Sequence, residues 1–186
     1  MKSTQFPLTV SDLESAPDDG NRYEVIEGEL YVSAAPSFFH QRVLLKLAVA
    51  LDVYLRDHPA GVVAPGVGVI FDELNGVIPD LVFLTHETQE QILRGGRLTA
   101  APEIVVEILS PGAGNEKRDR VLKRHLYSAQ GVHEYWIVDA DAKTVEVYRQ
   151  RKDAGLKLAA SLHSGDELTS SVLPGFRISL AQLFAE

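Results

Sequence analysis

At 186 residues the chain is long enough for one domain with a sizeable core, and having no cysteine it is excluded from disulfides, thiolate nucleophiles and cysteine-bound zinc. Its hydrophobic share of 45% and charged share of 24% are those of an ordinary globular protein, and no apolar run approaches the roughly 18 residues of a membrane span. A net charge of −8 argues against non-specific coating of nucleic acid, and Met1–Pro7 lacks the apolar core of a signal peptide, so a cytoplasmic address is expected.

The charge is unevenly spread. Residues 1–35 carry two basic and seven acidic side chains, whereas 116–124 sets five basic residues against Glu116 and Asp119. An acidic total therefore coexists with a local basic face.

In chain order, Ser11-Asp12-Leu13-Glu14 suits a short capped helical turn before Pro17. Tyr23 to Val32 reads as a hairpin bent at Glu27-Gly28. Ser37 is a plausible N-cap for a helix over about 38–57. There Val43, Leu44, Leu47, Val49, Ala50, Leu51, Val53, Tyr54 and Leu55 predict a broad apolar face packed on a sheet. Strands follow at Val62–Pro65 and Val67–Phe71, then a turn at Asp72–Gly76 and a strand led by Pro79-Asp80. Thr85 caps a helix over about 86–94 closed by Gly95-Gly96, and Pro102 opens a further strand ending at Leu109. A helix over about 115–130 leads through Gly131 to a buried strand at His133–Asp139. A hairpin-like pair, Thr144–Tyr148 and Leu156–Ala159, precedes an apolar tail, Ile178–Phe184. No repeat or linker divides the chain. The expectation is one domain over 1–186, with a core at about 20–140 and a C-terminal β extension at about 141–186.

Asp80 and Glu107 stand inside runs that read as buried strands, where an unpartnered ionised carboxylate is costly. Pro-Asp often starts a strand or turn, so Asp80 has a plain reading as a cap of backbone amides. Glu107 is flanked by Ile104-Val105-Val106 and Ile108-Leu109, and strand alternation places it with Val105 and Leu109. It either leans on a neighbouring Lys or Arg, or serves as a hard oxygen ligand for a divalent cation, which would also account for Asp80. On the following helix Val121, Leu122, His125, Leu126 and Ala129 form the expected buried stripe. Asp119, Lys123 and Tyr127, spaced four apart, share another face. An exposed helix lysine is common; Lys123 gains interest from standing one loop after Glu107. No histidine pair has zinc-helix spacing, and His58, His86 and His163 read as solvent-facing. Gly66-Val67-Gly68 lacks the context of a dinucleotide fingerprint, and Ser110 sits in no nucleophile elbow.

Pro79-Asp80, a gap of 27, then Glu107 at a strand end resembles the PD-(D/E)XK nuclease superfamily. Four stretches, Tyr23–Leu30, Pro79–Val82, Val106–Pro111 and Gly131–Asp139, look more specifically like the Uma-type family described as restriction endonucleases. Arg118-Asp119, Lys123 and Tyr127 continue the likeness, which covers about residues 20–180. The superfamily lysine stands two residues after the acid, where this chain has Leu109; the resemblance implies that Lys123 has taken its place.

The resemblance further implies an α/β restriction-endonuclease-like fold: a central mixed sheet flanked by helices, with extra N- and C-terminal β-hairpins. It implies Mg²⁺- or Mn²⁺-dependent hydrolysis of nucleic-acid phosphodiesters, with DNA as the expected substrate. Asp80, Glu107 and the backbone carbonyl of Ile108 would hold the metal, and Lys123 would orient water or stabilise charge. Glu29, ranked above Glu24, would add a carboxylate, and His40 and Tyr127 are further accessories. Lys117, Arg118, Arg120 and Arg124 would touch the nucleic-acid backbone. A homodimer suits the cutting of both strands, with the apolar tail as its interface. The rivals are a nuclease-like fold that binds nucleic acid or protein without cutting, and phosphoester chemistry on a small molecule.

Overall fold

A computed structural model describes residues 6–185. A 3₁₀ turn at Val10–Ser15 is closed by a capping box in which Thr9 and Asp12 bond reciprocally. Strands β1 (Arg22–Ile26) and β2 (Glu29–Ser33) form the expected hairpin. Its two bend residues, Glu27 and Gly28, both have positive φ (53° and 76°), as a tight hairpin with the twist of its strands requires. Helix α1 (Phe38–Asp57) starts where Ser37 accepts a hydrogen bond from the His40 amide at 3.2 Å.

Next come β3 (Gly61–Pro65), β4 (Val69–Asp72), β5 (Asn75–Val77) and β6 (Leu81–Thr85). Thr85 caps α2 (His86–Ile92) as expected, but the helix stops early. Gly95 and Gly96, both at positive φ, instead bend a small hairpin of β7 (Leu93–Arg94) and β8 (Arg97–Leu98). After β9 (Ile104–Ile108) the chain runs through α3 (Ala113–Lys117), a π-helical turn (Arg118–Lys123) and α4 (Arg124–Ala129). Gly131, at φ 83°, ends this rod and leads into β10 (Glu134–Asp139). The hairpin of β11 (Thr144–Arg151) and β12 (Gly155–Leu162) is followed by β13 (Glu167–Thr169), β14 (Arg177–Ser179) and α5 (Leu180–Leu183).

The strands divide into two six-stranded mixed sheets rather than one. The order is β12-β11-β10-β9-β6-β3 in one and β2-β1-β5-β4-β8-β7 in the other, with β13 and β14 as a separate pair. The β9–β10 pair is parallel, as a helical crossover demands, and β6 runs antiparallel to β9 with Leu81 opposite Val106. The first sheet is covered on both faces. Ile104, Val106, Ile108, Trp136 and Val138 pack with α1 and α5, while Val105, Leu109, Tyr135 and Ile137 pack with β1, β4 and α4. Glu107 belongs to the second face, between the sheets.

Two apolar faces differ from expectation. On α1 the buried residues are His40, Val43, Leu44, Leu47, Leu51 and Leu55; Val49 and Val53 face outward beside Leu45. Only one side of α1 meets a sheet. On the rod after β9, Val121, His125 and Ala129 are exposed, and the buried side is Arg118, Asp119, Lys123, Leu126 and Tyr127. The π-helical turn shifts the helical phase, so polar residues take the inward positions. The apolar tail is spent on the core, with Ile178, Leu180 and Leu183 all buried there, and does not offer the interface expected of it. Among the described residues no helix is long and apolar enough to cross a membrane.

Candidate active site

Six elements meet where the two sheets face each other. β1 supplies Arg22 and Glu24 from one face, since alternate strand residues share a side. α1 supplies His40, the residue before β6 is Asp80, β9 supplies Glu107, and the π-helical turn and α4 supply Asp119, Lys123 and Tyr127. They line or adjoin a cleft of about 20 Å³, room for a single water- or ion-sized occupant.

Asp80 is held on both oxygens. Arg22 Nη1 donates to Oδ1 at 2.7 Å, while the Ile108 amide donates to Oδ2 at 2.8 Å and His40 Nε2 lies 3.1 Å from the same atom. Burial pushes its carboxyl up, but His40, the Ile108 N–H and Arg22 outweigh burial and hold it below the ordinary value. His40 Nδ1 is buried without a hydrogen-bond partner among the described residues.

Glu107 is the opposite case. Lys123 Nζ donates to Oε1 at 2.9 Å and the Tyr127 hydroxyl donates to it at 2.7 Å. Oε2 has no hydrogen-bond partner among the described residues. Burial, only partly relieved by Lys123 and aggravated by Asp119, Asp80 and Glu24, pushes its carboxyl up to about 8. Lys123 lies 2.8 Å from Glu24 Oε1 and 3.9 Å from Asp119 Oδ1. Burial works against its charge, but Glu107, Glu24 and Asp119 outweigh it, so the ammonium is held well above the usual lysine value. Glu24 also accepts the Ile78 amide at 2.7 Å. Asp119 is paired with Arg118 Nε at 2.9 Å, and Arg118 Nη1 donates to Ser33 Oγ at 2.6 Å. Burial keeps Tyr127 a neutral phenol, its ionisation raised well above the ordinary value.

The charges close with one left over. Glu24 and Asp119 balance Lys123 and Arg118, and Asp80 is balanced by Arg22. Glu107 is the carboxylate in excess, and burial is the first cause of its raised carboxyl.

Asp80, Glu107 and Lys123 are thus brought to one cleft, with Ile108, Glu24, His40 and Tyr127. Glu29 is not. It stands exposed at the turn end of β2, bonded to the Tyr31 hydroxyl at 3.1 Å, and the inward carboxylate of the hairpin is Glu24. The basic stretch is largely committed internally. Arg118 is buried, Arg120 is bonded to Glu146 with Asp139 at 3.6 Å, and Arg124 lies 5.1 Å over the Tyr148 ring. Lys117 is exposed without an ion pair among the described residues. Sequence reasoning passed over Arg22 and gave Asp119 no part in the site. Arg22 had a readable signal, since it shares the β1 face with Glu24.

A family model described as "Putative restriction endonuclease" matches residues 10–181. The chain belongs to this family, Uma2. The Uma2 fold is matched in a crystal structure of a "putative nuclease belonging to DUF820" from Anabaena variabilis ATCC 29413. That match has a TM-score of 0.77 at 18% identity and covers 96% of this chain and 98% of that one, a likeness of fold. The type IIG restriction endonuclease BpuSI matches at a TM-score of 0.44 and 11% identity, over 78% of this chain and 15% of that one, too slight a likeness to carry an argument. No curated protein matches. The Uma2 assignment and the fold indicate a restriction-endonuclease-like nuclease.

Whether the residues suit a divalent cation is decided by their chemistry. The donors are hard oxygens, one carboxylate oxygen is uncommitted, and the site holds one carboxylate more than its paired cations; all three features fit such an ion. Against this, both Asp80 oxygens are engaged, and among the described residues no group of three or more His, Asp or Glu is placed to hold a metal. A cation at Asp80 would therefore have to displace Arg22, whose side chain is the more exposed partner.

Proposed function

We propose that this cleft hydrolyses DNA phosphodiesters with Mg²⁺ or Mn²⁺, held by Asp80, Glu107 and the backbone carbonyl of Ile108. The observation that carries the reading is the carboxylate in excess at the cleft, Glu107, whose bonds from Lys123 and Tyr127 both fall on Oε1. A purely structural cluster would be expected to match its carboxylates charge for charge, whereas Glu24, Glu107 and Asp119 share Lys123 and Arg118. A divalent ion bound there supplies Lewis-acid polarisation of the phosphate and eases ionisation of water.

The chain's own groups have fixed parts in this scheme. Lys123, pinned as an ammonium, acts as a point charge toward phosphate oxygen and not as a base. Glu24 and Tyr127 hold Lys123 and Glu107 in place. His40 orients Asp80 through Nε2, and Arg22 neutralises Asp80 while the metal is away. A twofold dimer would bring two such clefts to one duplex. Its interface would have to be a surface such as Leu45, Val49 and Val53 of α1.

A second reading rests on the engagement of both Asp80 oxygens, which suits a nuclease-like fold that binds without cutting. Incubation of plasmid DNA with Mg²⁺ or Mn²⁺ decides between them. Nicking or linearisation by the wild type, abolished in Glu107→Ala and in EDTA, is the expected result. Cleavage that survives both changes overturns the proposed site.

A further inference from the structure

The first turn of α1 and the residues leading into it are of two kinds. Pro36 and His40 line the cleft, while Phe38 and Phe39, between them in sequence, are 73% and 62% exposed. The two rings meet edge to face at 5.8 Å and stand at one end of a groove of about 410 Å³. Arg42 and Lys46 continue the same stripe of the helix, one and two turns on. Lys143, from the turn between β10 and β11, lines the other wall. No acidic side chain is among the described lining residues, in a chain whose net charge is −8. Arg42 and Lys143 make no ion pair among the described residues, and Lys46 donates to the Ala185 carbonyl.

Two largely exposed phenyl rings do little for the core, and a patch of this kind on a surface marks something that covers it. The charge decides what. A second copy of the chain joined about a twofold axis would set this cationic stripe against itself. A polyanion with flat apolar faces meets both demands at once, its phosphates at the cations and its bases on the rings. In a duplex the base faces are already stacked, so only an unpaired stretch can use the phenylalanines.

We propose that the groove of Phe38, Phe39, Arg42, Lys46 and Lys143 binds a single-stranded stretch of DNA leading into the cleft. The inference rests on the nuclease reading of that cleft and adds that the DNA reaching it carries an unpaired stretch. It also supplies the phosphate-binding cations that the committed arginines after β9 do not.

The test is fluorescence anisotropy of a labelled single-stranded oligodeoxynucleotide, in EDTA so that nothing is cut. The double variant Phe38→Ala/Phe39→Ala is expected to bind about tenfold more weakly or worse, because each base deprived of its aromatic platform costs at least a severalfold factor. Its thermal midpoint should match the wild type, since both rings are exposed. Arg42→Ser/Lys143→Ser should make the salt dependence of binding shallower by roughly 0.7 for each phosphate left without its cation. Duplex of the same sequence should respond little to removal of the rings.

Unchanged single-strand affinity in the folded double-phenylalanine variant overturns the proposal. So does a wild-type dimer that this variant turns into monomers with unaltered affinity. The two readings fail separately. If cleavage persists in Glu107→Ala while removal of the rings weakens binding, the catalytic reading falls and the groove stands. If wild type cuts in a Glu107-dependent way and removal of the rings changes nothing, the groove falls alone.

Discussion

Between pH 4.5 and about 8 Glu107 keeps, in the folded protein, a proton that it releases in the unfolded chain, because burial outweighs the pull of Lys123. The sign of the consequence follows from which state binds more protons. Below pH 4.5 the side chain is protonated in both states and contributes no pH dependence. As pH rises toward 8 the unfolded state loses the proton first, so stability falls, by on the order of 1 kcal/mol per pH unit at most. Glu107→Gln removes that titration and retains an acceptor for Lys123 and Tyr127. In EDTA, the thermal midpoint of Glu107→Gln should therefore gain on the wild type steadily from pH 5 to pH 8. A wild type that instead gains on the variant over this range would show Glu107 ionised against Lys123, and the surplus-charge account would be wrong.

At the scale of elements, strand alternation was legible and helix phase was not. Period two places Glu107 with Val105 and Leu109, and the fold keeps that face. The same rule shows why β1 matters, since Arg22, Glu24 and Ile26 share one side. It could not rank Glu24 against Glu29, because both occupy equivalent faces of the hairpin: Glu29 pairs with Ile26 and Glu24 with Tyr31. What separates them is distance from the turn, which decides burial under the rod after β9. The rod itself misled, because a π-helical turn at Arg118–Lys123 breaks the 3.6-residue period on which an apolar stripe is drawn. Glu24→Ala should cost about 2–4 kcal/mol, since it removes a buried partner of Lys123 and the acceptor of the Ile78 amide. Glu29→Ala should stay within about 0.5 kcal/mol, as exposed substitutions do. Urea midpoints of the two variants check this; equal shifts would mean that Glu24 is not held as described.

Across the whole molecule, the residues after Asp139 are bound into the same core as those before it. Leu168, Leu173, Phe176, Leu180 and Leu183 share one apolar cluster with Trp136, Val106 and Leu47. Such a union was hidden in the sequence, where Glu134 reads as one polar residue in a strand and its partners lie in the tail. Glu134 is fully buried. It accepts from Arg149 Nε at 3.0 Å, Trp136 Nε1 at 3.0 Å, Ser170 Oγ at 3.0 Å and the Ser171 amide at 2.8 Å. Three of these four donors come from beyond residue 140, so the carboxylate ties the tail to β10. Glu134→Ala leaves a guanidinium, a buried indole N–H and the buried Ser170 hydroxyl without their acceptor, a loss of about 3 kcal/mol or more. For a chain of this length that is roughly a 6–12 °C fall in the thermal midpoint. Glu134→Gln, which keeps one acceptor oxygen and the volume, should fall by less. Calorimetry should show one transition shifting as a unit in both variants. A second, earlier transition in Glu134→Ala would mean that the tail melts separately, as an appendage to a core ending near residue 140.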